Sequence, residues 1–250
     1  LMLTAAIAVY RLWLEKGGKV PAVVAGHSLG EYSALVAAGV IDFKDAVPLV
    51  RLRASAMQEA VPLGTGGMAA ILNLDDDKIR DACSEAAAEV GGGAVVELVN
   101  FNAPGQTVIA GSKLAVERAC EACKAKGAKR AVLLPVSAPF HSSLLRPAAE
   151  KLGARLAELQ FATPKIRVVN NVDVAIETEP EKIKDALIRQ AYSPVRWVET
   201  VQRIATLDVT TVAECGPGKV LAGLIKRCAD GVLGVALADA ASIEANLNLE

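Results

Sequence analysis

The sequence has few aromatic residues and few histidines, and its charges nearly cancel. Aromatic residues make up 4% of the 250 residues, two histidines occur, and the formal net charge is −1. A balanced charge gives no bulk electrostatic case for binding nucleic acid or a membrane surface. No apolar run reaches the length that a membrane-spanning helix needs. We therefore expect neither nucleic acid nor a membrane among the partners of this chain.

Cysteine is also scarce, and its spacing is irregular. The five cysteines are Cys83, Cys120, Cys123, Cys215 and Cys228. An odd and scattered set is typical of a reducing compartment, so we expect a cytoplasmic protein. Cys120 and Cys123 form a C-x-x-C pattern inside a predicted helix, without a second Cys or His pair to complete a metal site. We interpret the pair as helix packing and predict no metal site.

The remaining composition predicts a packed α/β protein. Apolar residues make up 52% of the chain, and strands alternate with helices, which is typical of a parallel sheet. Between residues 61 and 133 the order changes to β-α-β-β-α-β, the split βαβ order of a ferredoxin-like subdomain. Its predicted elements are 68–72, 75–90, 94–99, 106–110, 113–126 and 130–136. We predict a hydrolase-like core formed by 1–60 and 134–250, with 61–133 as an inserted ferredoxin-like subdomain.

One pentapeptide, Gly26-His27-Ser28-Leu29-Gly30, has the pattern of a nucleophile elbow. It follows an apolar run that predicts a strand and precedes a stretch that predicts a helix, which is the context in which G-x-S-x-G has this meaning. We expect glycine at both ends because the turn is too tight for a Cβ, and we expect a strained Ser28. The alternative is a glycine-rich turn with an incidental serine.

A nucleophilic serine needs a base, and the two histidines leave little choice. His27 is next to Ser28, so its side chain points away from it, and His141 is therefore the candidate base. The alternative is a loop histidine without a catalytic role. A third group should orient the imidazole, most often a carboxylate. Asp173, Glu177 and Asp185 are the candidates, and nothing in the sequence selects one of them.

Arg53 lies on a helix face that is otherwise apolar. Ala46, Leu49, Ala56 and Ala60 share this face at helical spacing. Such an arginine either extends its charged end to the surface or pairs with a buried anion, and its planar fork suits a carboxylate. The residues alone leave these two interpretations open.

Two further motifs have plainer interpretations. Gly216-Pro217-Gly218-Lys219 lacks the spacing of a phosphate-binding loop and predicts a turn before a helix. The basic run from Lys124 to Arg130 predicts a solvated turn, with docking of an acidic partner as the alternative.

Taken together, the motifs resemble those of the malonyl-CoA:acyl carrier protein transacylase family, over nearly the whole chain. The matching stretches are residues 26–35, Arg53 with Met57-Gln58, 99–106, Pro139-Phe140-His141, 169–173 and 214–221. The resemblance implies that Ser28 takes malonyl from malonyl-CoA and passes it to the phosphopantetheine thiol of acyl carrier protein, in fatty acid biosynthesis. It implies that His141 is the base and that Arg53 binds the malonyl carboxylate. It also implies that the backbone carbonyl of Gln190 orients His141 and that the Leu29 N–H is an oxyanion donor.

The resemblance carries further expectations. It implies no cofactor, and we expect a monomer. Leu29 and Phe140 resemble the malonyl-selecting pattern of related domains, since a phenylalanine would fill the space that an α-methyl group needs. About the first quarter of the family's length, with a second oxyanion donor, is absent from the sequence given, so we expect impaired folding or activity of this chain alone.

Three alternatives remain open from the sequence. One is an acyltransferase domain of a polyketide synthase, which uses the same chemistry. Another is a serine hydrolase or thioesterase, which would pass the acyl group to water and has no need of Arg53. The last is a carrier-binding module without activity.

Overall fold

Strands and helices alternate along the chain, as the sequence predicts. The computed structural model describes residues 1–136 and 138–248. The helices are α1 (Met2–Glu15), α2 (Leu29–Ala37), α3 (Phe43–Glu59), α4 (Asp76–Val90), α5 (Lys113–Ala125), α6 (Arg146–Glu158), α7 (Pro180–Gln190), α8 (Trp197–Ala205), α9 (Val220–Cys228) and α10 (Ala240–Asn246). The strands are β1 (Val23–Ala25), β2 (Gly66–Leu72), β3 (Val96–Ala103), β4 (Gln106–Ser112), β5 (Arg130–Leu133), β6 (Arg167–Val169), β7 (Thr211–Cys215) and β8 (Leu233–Leu237).

The chain divides into two compact units. The first unit comprises Leu1–Val50, Gln160–Ile183 and Val198–Glu250, and the second comprises Arg51–Leu159 and Lys184–Trp197.

The strands of the first unit pair in parallel. β1 pairs with β6, with Val24 opposite Val168, and β7 pairs with β8. Parallel partners require a crossover connection, and helices supply it, as in α2 after β1 and α9 between β7 and β8. The N–H of Ala222 in α9 donates to Glu214 Oε2 on β7 at 2.8 Å, which satisfies one donor of the helix N-terminus. The predicted parallel α/β core is confirmed.

The second unit contains a four-stranded antiparallel sheet. Its strand order is β3-β4-β2-β5, and α4 and α5 supply the two crossovers of a ferredoxin-like subdomain. The inner faces bury a continuous apolar cluster that includes Ile71, Ile79, Ile109 and Val116. Cys83, Cys120 and Cys123 belong to this cluster, so the interpretation of the C-x-x-C pair as helix packing is confirmed. The predicted ferredoxin-like subdomain is present.

The predicted domain limits follow this sheet rather than the compact unit that contains it. The sheet with α4 and α5 lies within residues 66–133, inside the predicted 61–133, whereas the second unit extends further in both directions. The reason is packing, because Ala56 and Met57 of α3 form a buried cluster with Leu145 and Ala148. The limits 1–60 with 134–250 and 61–133 stay a prediction.

Several features of the fold differ from expectation. β5 ends at Leu133, before the predicted end at residue 136. β3 continues to Ala103, beyond the predicted end at residue 99, because it pairs with β4 up to Ala103 opposite Gln106. β8 and α10 were not predicted. The turn at Gly216 and Gly218 before α9 is confirmed, with positive φ at both glycines. Within the described ranges, no helix has the length and apolar character needed to cross a membrane.

Candidate active site

Ser28 lies at a sharp turn between β1 and α2, as the pentapeptide predicts. Its backbone angles are φ 52° and ψ −107°, which a residue with a side chain rarely adopts. Gly26 is required for the turn, because a Cβ at that position would lie 1.9 Å from the backbone carbon of Gly30. The two halves of the turn therefore touch through backbone atoms, and they leave no room for a methyl group at Gly26.

The expectation that both glycines are sterically required is wrong for Gly30. Apart from its two chain neighbours and the backbone of its own helix, a Cβ built at Gly30 meets no heavy atom of residues 1–136 and 138–248 within 4 Å. Gly30 already belongs to α2, where a right-handed backbone suits any residue and the side chain position faces open space. The Gly30 backbone thus occupies the space that a side chain at Gly26 would need, whereas the space beside Gly30 is open.

The start of α2 determines which backbone N–H groups remain for an oxyanion. The Ser28 N–H donates to Asn171 Oδ1 at 2.7 Å, while the N–H groups of Gly30 and Glu31 donate to carbonyls of the turn at 2.9 and 3.1 Å. The Leu29 N–H occupies the first helical position, which has no intrahelical acceptor. Within residues 1–136 and 138–248 it donates to no backbone carbonyl. This geometry favours Leu29 over Ser28 as the oxyanion donor of the elbow.

His141 is held by a backbone carbonyl in the second unit. Its Nδ1 lies 2.8 Å from the carbonyl oxygen of Gln190, and the residue is 4% exposed. A carbonyl oxygen only accepts, so Nδ1 carries the hydrogen and Nε2 carries the lone pair of the neutral ring. This is the tautomer that a general base needs at Nε2.

The expectation that a carboxylate orients the His141 ring is therefore wrong. The acceptor of the His141 ring is a main-chain oxygen, whereas Asp185 pairs with Arg189 at 2.7 Å. A backbone carbonyl can also accept the Nδ1–H and fix the ring orientation, and it adds no negative charge. The hydrogen bond that the family resemblance implies between His141 and Gln190 is present.

Arg53 is buried next to the same glutamine. It is 6% exposed, and its Nη2 donates to Gln190 Oε1 at 3.0 Å. The interpretation of Arg53 as a side chain that extends to the surface is wrong, because the fold encloses this face of α3. A bond to a neutral amide orients the guanidinium without neutralising its positive charge. Gln190, itself fully buried, thus contacts the base through its backbone and the cation through its side chain.

The loop that carries His141 is anchored by a residue that the sequence did not single out. Glu97 on β3 accepts hydrogen bonds from the Ser143 N–H at 2.7 Å and the Ser143 hydroxyl at 2.9 Å. The hydroxyl of the buried Ser142 donates to the carbonyl of Pro139 at 2.7 Å. These bonds hold both sides of His141, whose φ is 66°. No local pattern marks Glu97, because its partner is 46 residues away.

Phe140 packs against two buried clusters. One contains Ala56 and Met57, and the other contains Met68 and Val99. This packing holds the ring in place beside His141. Selection against an α-methyl group by Phe140 and Leu29 stays a prediction.

A strained serine on an elbow, a histidine in the tautomer of a general base and a buried arginine, on an α/β core with a ferredoxin-like subdomain, define a serine-dependent acyltransferase. The acyl transferase domain family matches residues 2–243. The chain belongs to this family, and within it to the malonyl CoA-acyl carrier protein transacylases.

Individual relatives are similar over almost the whole chain. The malonyl CoA-acyl carrier protein transacylase of Escherichia coli K12 is 57% identical over 248 residues, which are 99% of this chain and 79% of the relative. The crystal structure of an acyl-carrier-protein S-malonyltransferase from Burkholderia pseudomallei is 62% identical with a TM-score of 0.95, covering 99% of this chain and 79% of that one. A malonyl-transacylase in complex with its type II polyketide synthase acyl-carrier protein is 54% identical, with a TM-score of 0.95 and the same coverage.

Proposed function

We propose that this chain transfers the malonyl group from malonyl-CoA to the phosphopantetheine thiol of an acyl carrier protein, through a malonyl ester of Ser28, in fatty acid biosynthesis. The similarity to malonyl CoA-acyl carrier protein transacylases supports the substrates. The structure that pairs a related transacylase with an acyl-carrier protein supports the partner.

The observation that carries the proposal is the double role of Gln190. Its backbone carbonyl orients the His141 ring and its side chain orients the Arg53 guanidinium. The base and a buried cation are therefore held by one residue in a common frame. A cation is useful to an enzyme whose acyl group carries a carboxylate, because a charge left unpaired in a closed site is costly. A hydrolase acting on neutral acyl groups gains nothing from this arrangement.

In the first half-reaction, Ser28 Oγ attacks the thioester carbon of malonyl-CoA and His141 Nε2 accepts the hydroxyl proton. The Leu29 N–H donates to the oxyanion that forms. The intermediate collapses by breaking the carbon–sulfur bond, and His141 returns the proton to the coenzyme A thiolate. The product is malonyl-Ser28, with its carboxylate bound by Arg53.

In the second half-reaction, the carrier thiol takes the place of the alcohol. His141 accepts the thiol proton while sulfur attacks the ester carbon, and it returns the proton to Ser28 Oγ as the ester bond breaks. One thioester is consumed and one is formed, so the exchange needs no oxidant, reductant or metal. We therefore propose that the enzyme uses no cofactor.

We also propose a cytoplasmic monomer. Five free cysteines agree with a reducing compartment. Ser28, Leu29, Arg53, His141 and Gln190 all come from one chain, so a second copy need not supply a group. Equilibrium sedimentation of the purified protein measures the oligomeric state directly.

The central test follows the covalent intermediate. We expect incubation with malonyl-CoA to add one malonyl group to Ser28 by intact mass, and we expect no addition to Ser28→Ala. The adduct should persist in buffer and leave when holo-acyl carrier protein is added. Rapid loss to water would show a hydrolase instead, and the absence of any adduct would show a protein without this activity. Carriers from fatty acid and polyketide synthesis, compared by their transfer rates, distinguish the two pathways.

A further inference from the structure

The strained backbone of Ser28 is held by one buried side chain of the same compact unit. Asn171 is fully buried and lies in the segment that follows β6. Its Oδ1 accepts the Ser28 N–H at 2.7 Å, and its Nδ2 donates to the Gly26 carbonyl at 2.8 Å. The side-chain amide therefore bonds to the backbone at Gly26 and at Ser28 itself, the two residues that flank His27 in the elbow.

An amide is the side chain that suits this position. The turn presents one donor and one acceptor two residues apart, and the asparagine amide places an acceptor oxygen beside an NH2 group that can donate. Aspartate has the same shape but replaces the donor with a second oxygen, which would face the Gly26 carbonyl. Leucine would leave both backbone groups buried without partners.

The clamp is itself fixed from the helix side. The Asn171 N–H donates to Glu31 Oε2 at 2.9 Å, and Glu31 is 2% exposed in the first turn of α2. Three hydrogen bonds thus connect Asn171 to the residues before, at and after the nucleophile. The Ser28 N–H is consumed by this clamp, which leaves the next N–H along the chain, that of Leu29, for the oxyanion.

We propose that Asn171 is a positioning residue that keeps Ser28 in its strained, reactive conformation and that directs the oxyanion to Leu29. Without the clamp, the backbone of Ser28 relaxes toward an unstrained conformation, and both Oγ and the Leu29 N–H leave their productive positions. Misplacement by about 1 Å can cost roughly 10²-fold in rate. A test that uses malonyl-CoA rests on the proposed function. Phosphonylation of Ser28 by a fluorophosphonate tests the role of Asn171 without that assumption.

Asn171→Asp is the main variant, and Asn170→Asp is its matched control. Asn170 is also buried, but its Oδ1 accepts the N–H groups of Asp173 and Ala175 instead of contacting the elbow. Asn170→Asp keeps both acceptor bonds, so it reports the cost of a buried carboxylate in the same segment. Both variants are compared by thermal unfolding, and rates are expressed per folded molecule.

Two reactions of Ser28 are measured, single-turnover loading from malonyl-CoA and phosphonylation by a small fluorophosphonate. In the latter, Ser28 Oγ forms a bond to phosphorus, fluoride leaves and the hydroxyl proton is lost. We expect Asn171→Asp to slow both reactions about 100-fold, with the KM for malonyl-CoA within threefold of wild type. We expect Asn170→Asp to stay within threefold of wild type in both reactions.

Each other outcome has a definite meaning. Equal rates per folded molecule for Asn171→Asp and wild type, with only a lower melting temperature, would overturn the proposal and leave a structural role. A wild type that reacts with fluorophosphonate but not with malonyl-CoA would refute the proposed function, and the phosphonylation ratio would still decide the role of Asn171. If Asn171→Asp does not fold, hydrogen exchange of the wild-type Ser28 amide decides, since rapid exchange would contradict the clamp.

Discussion

Replacing Arg53 by alanine should slow malonyl loading far more than acetyl loading, and so lower the ratio of the malonyl to the acetyl loading rate. Arg53 is buried and is bonded to Gln190, so its removal takes away a desolvated cation. Truncating one partner of a buried, hydrogen-bonded charge pair typically costs about 2–5 kcal/mol. At about 1.4 kcal/mol per tenfold, malonyl loading should fall roughly 30-fold to several thousand-fold.

Acetyl loading supplies the internal reference for this prediction. The acetyl group has no carboxylate for Arg53 to bind. The substitution therefore slows acetyl loading only through the lost hydrogen bond between Arg53 and Gln190. That contribution is one hydrogen bond, worth about 1 kcal/mol, and it slows acetyl loading at most roughly fivefold. Because this loss is common to both acyl groups, it cancels in the malonyl-to-acetyl ratio.

The assay is intact-mass detection of the Ser28 adduct from malonyl-CoA and from acetyl-CoA under single-turnover conditions. Arg51→Ala is the matched control, since Arg51 lies on the same helix and is exposed. We expect this control to leave both rates within twofold. Arg53→Lys keeps the charge but loses the fork, so it should fall between wild type and Arg53→Ala. An equal loss of malonyl and acetyl loading in Arg53→Ala would refute the assignment of Arg53 to the carboxylate.

Three further predictions follow from the same geometry. Gly26→Ala should abolish Ser28 loading or folding, because its Cβ would lie 1.9 Å from the Gly30 backbone. Gly30→Ala should fold with wild-type stability, measured by urea denaturation. A fully active Gly26→Ala would contradict the turn geometry. Gln190→Ala keeps the backbone carbonyl that accepts from His141 and loses the amide beside Arg53. Malonyl loading should therefore fall about tenfold, while acetyl loading stays within threefold of wild type. An equal loss of acetyl loading would show that the side chain, and not the carbonyl, holds the base. Burial raises the pKa of Cys83 to about 12 and of Cys123 to about 11, so the unfolded chain loses these protons first as the pH rises above about 8.5. The contribution of the protonated thiols to the free energy of unfolding is fully present below this pH and is lost as the pH rises toward the pKa values of the folded protein. The free energy of unfolding in reducing buffer should therefore fall between pH 9 and 11, and it should fall less for Cys83→Ala. Equal pH slopes for the two proteins would refute this cause.

The features that were predictable from sequence are those whose cause lies within a few residues. The elbow follows from a strand, two glycines and a helix in sequence, and the ferredoxin-like order follows from the periodicity of 61–133. The interpretation of Cys120 and Cys123 needed only their spacing on one helix. The error at Gly30 is also instructive, because a motif shows that two glycines occur but not which of them a neighbouring atom requires.

Hydrogen bonds between distant segments were not predictable from the residues alone. The acceptor of the His141 ring has no sequence signal, because any carbonyl in the chain can accept from a histidine and no pattern marks the one at Gln190. Only the family resemblance pointed to it. Glu97 and Asn171 gave no local signal for the same reason, since a single buried glutamate or asparagine resembles many others until its partners are known.

The sequence by itself determined the nucleophile, the candidate base and the order of strands and helices, because turn chemistry and hydrophobic periodicity act over short stretches of chain. The tertiary structure decided how these groups are equipped. It buried Arg53, selected the Nδ1–H tautomer of His141 through Gln190, and brought the Asn171 amide to the Gly26 carbonyl and the Ser28 N–H. The Arg53–Gln190 and Ser28–Asn171 bonds join residues 137 and 143 positions apart. Contacts over such separations exist only once the chain has folded, and they depend on geometry that no short motif encodes.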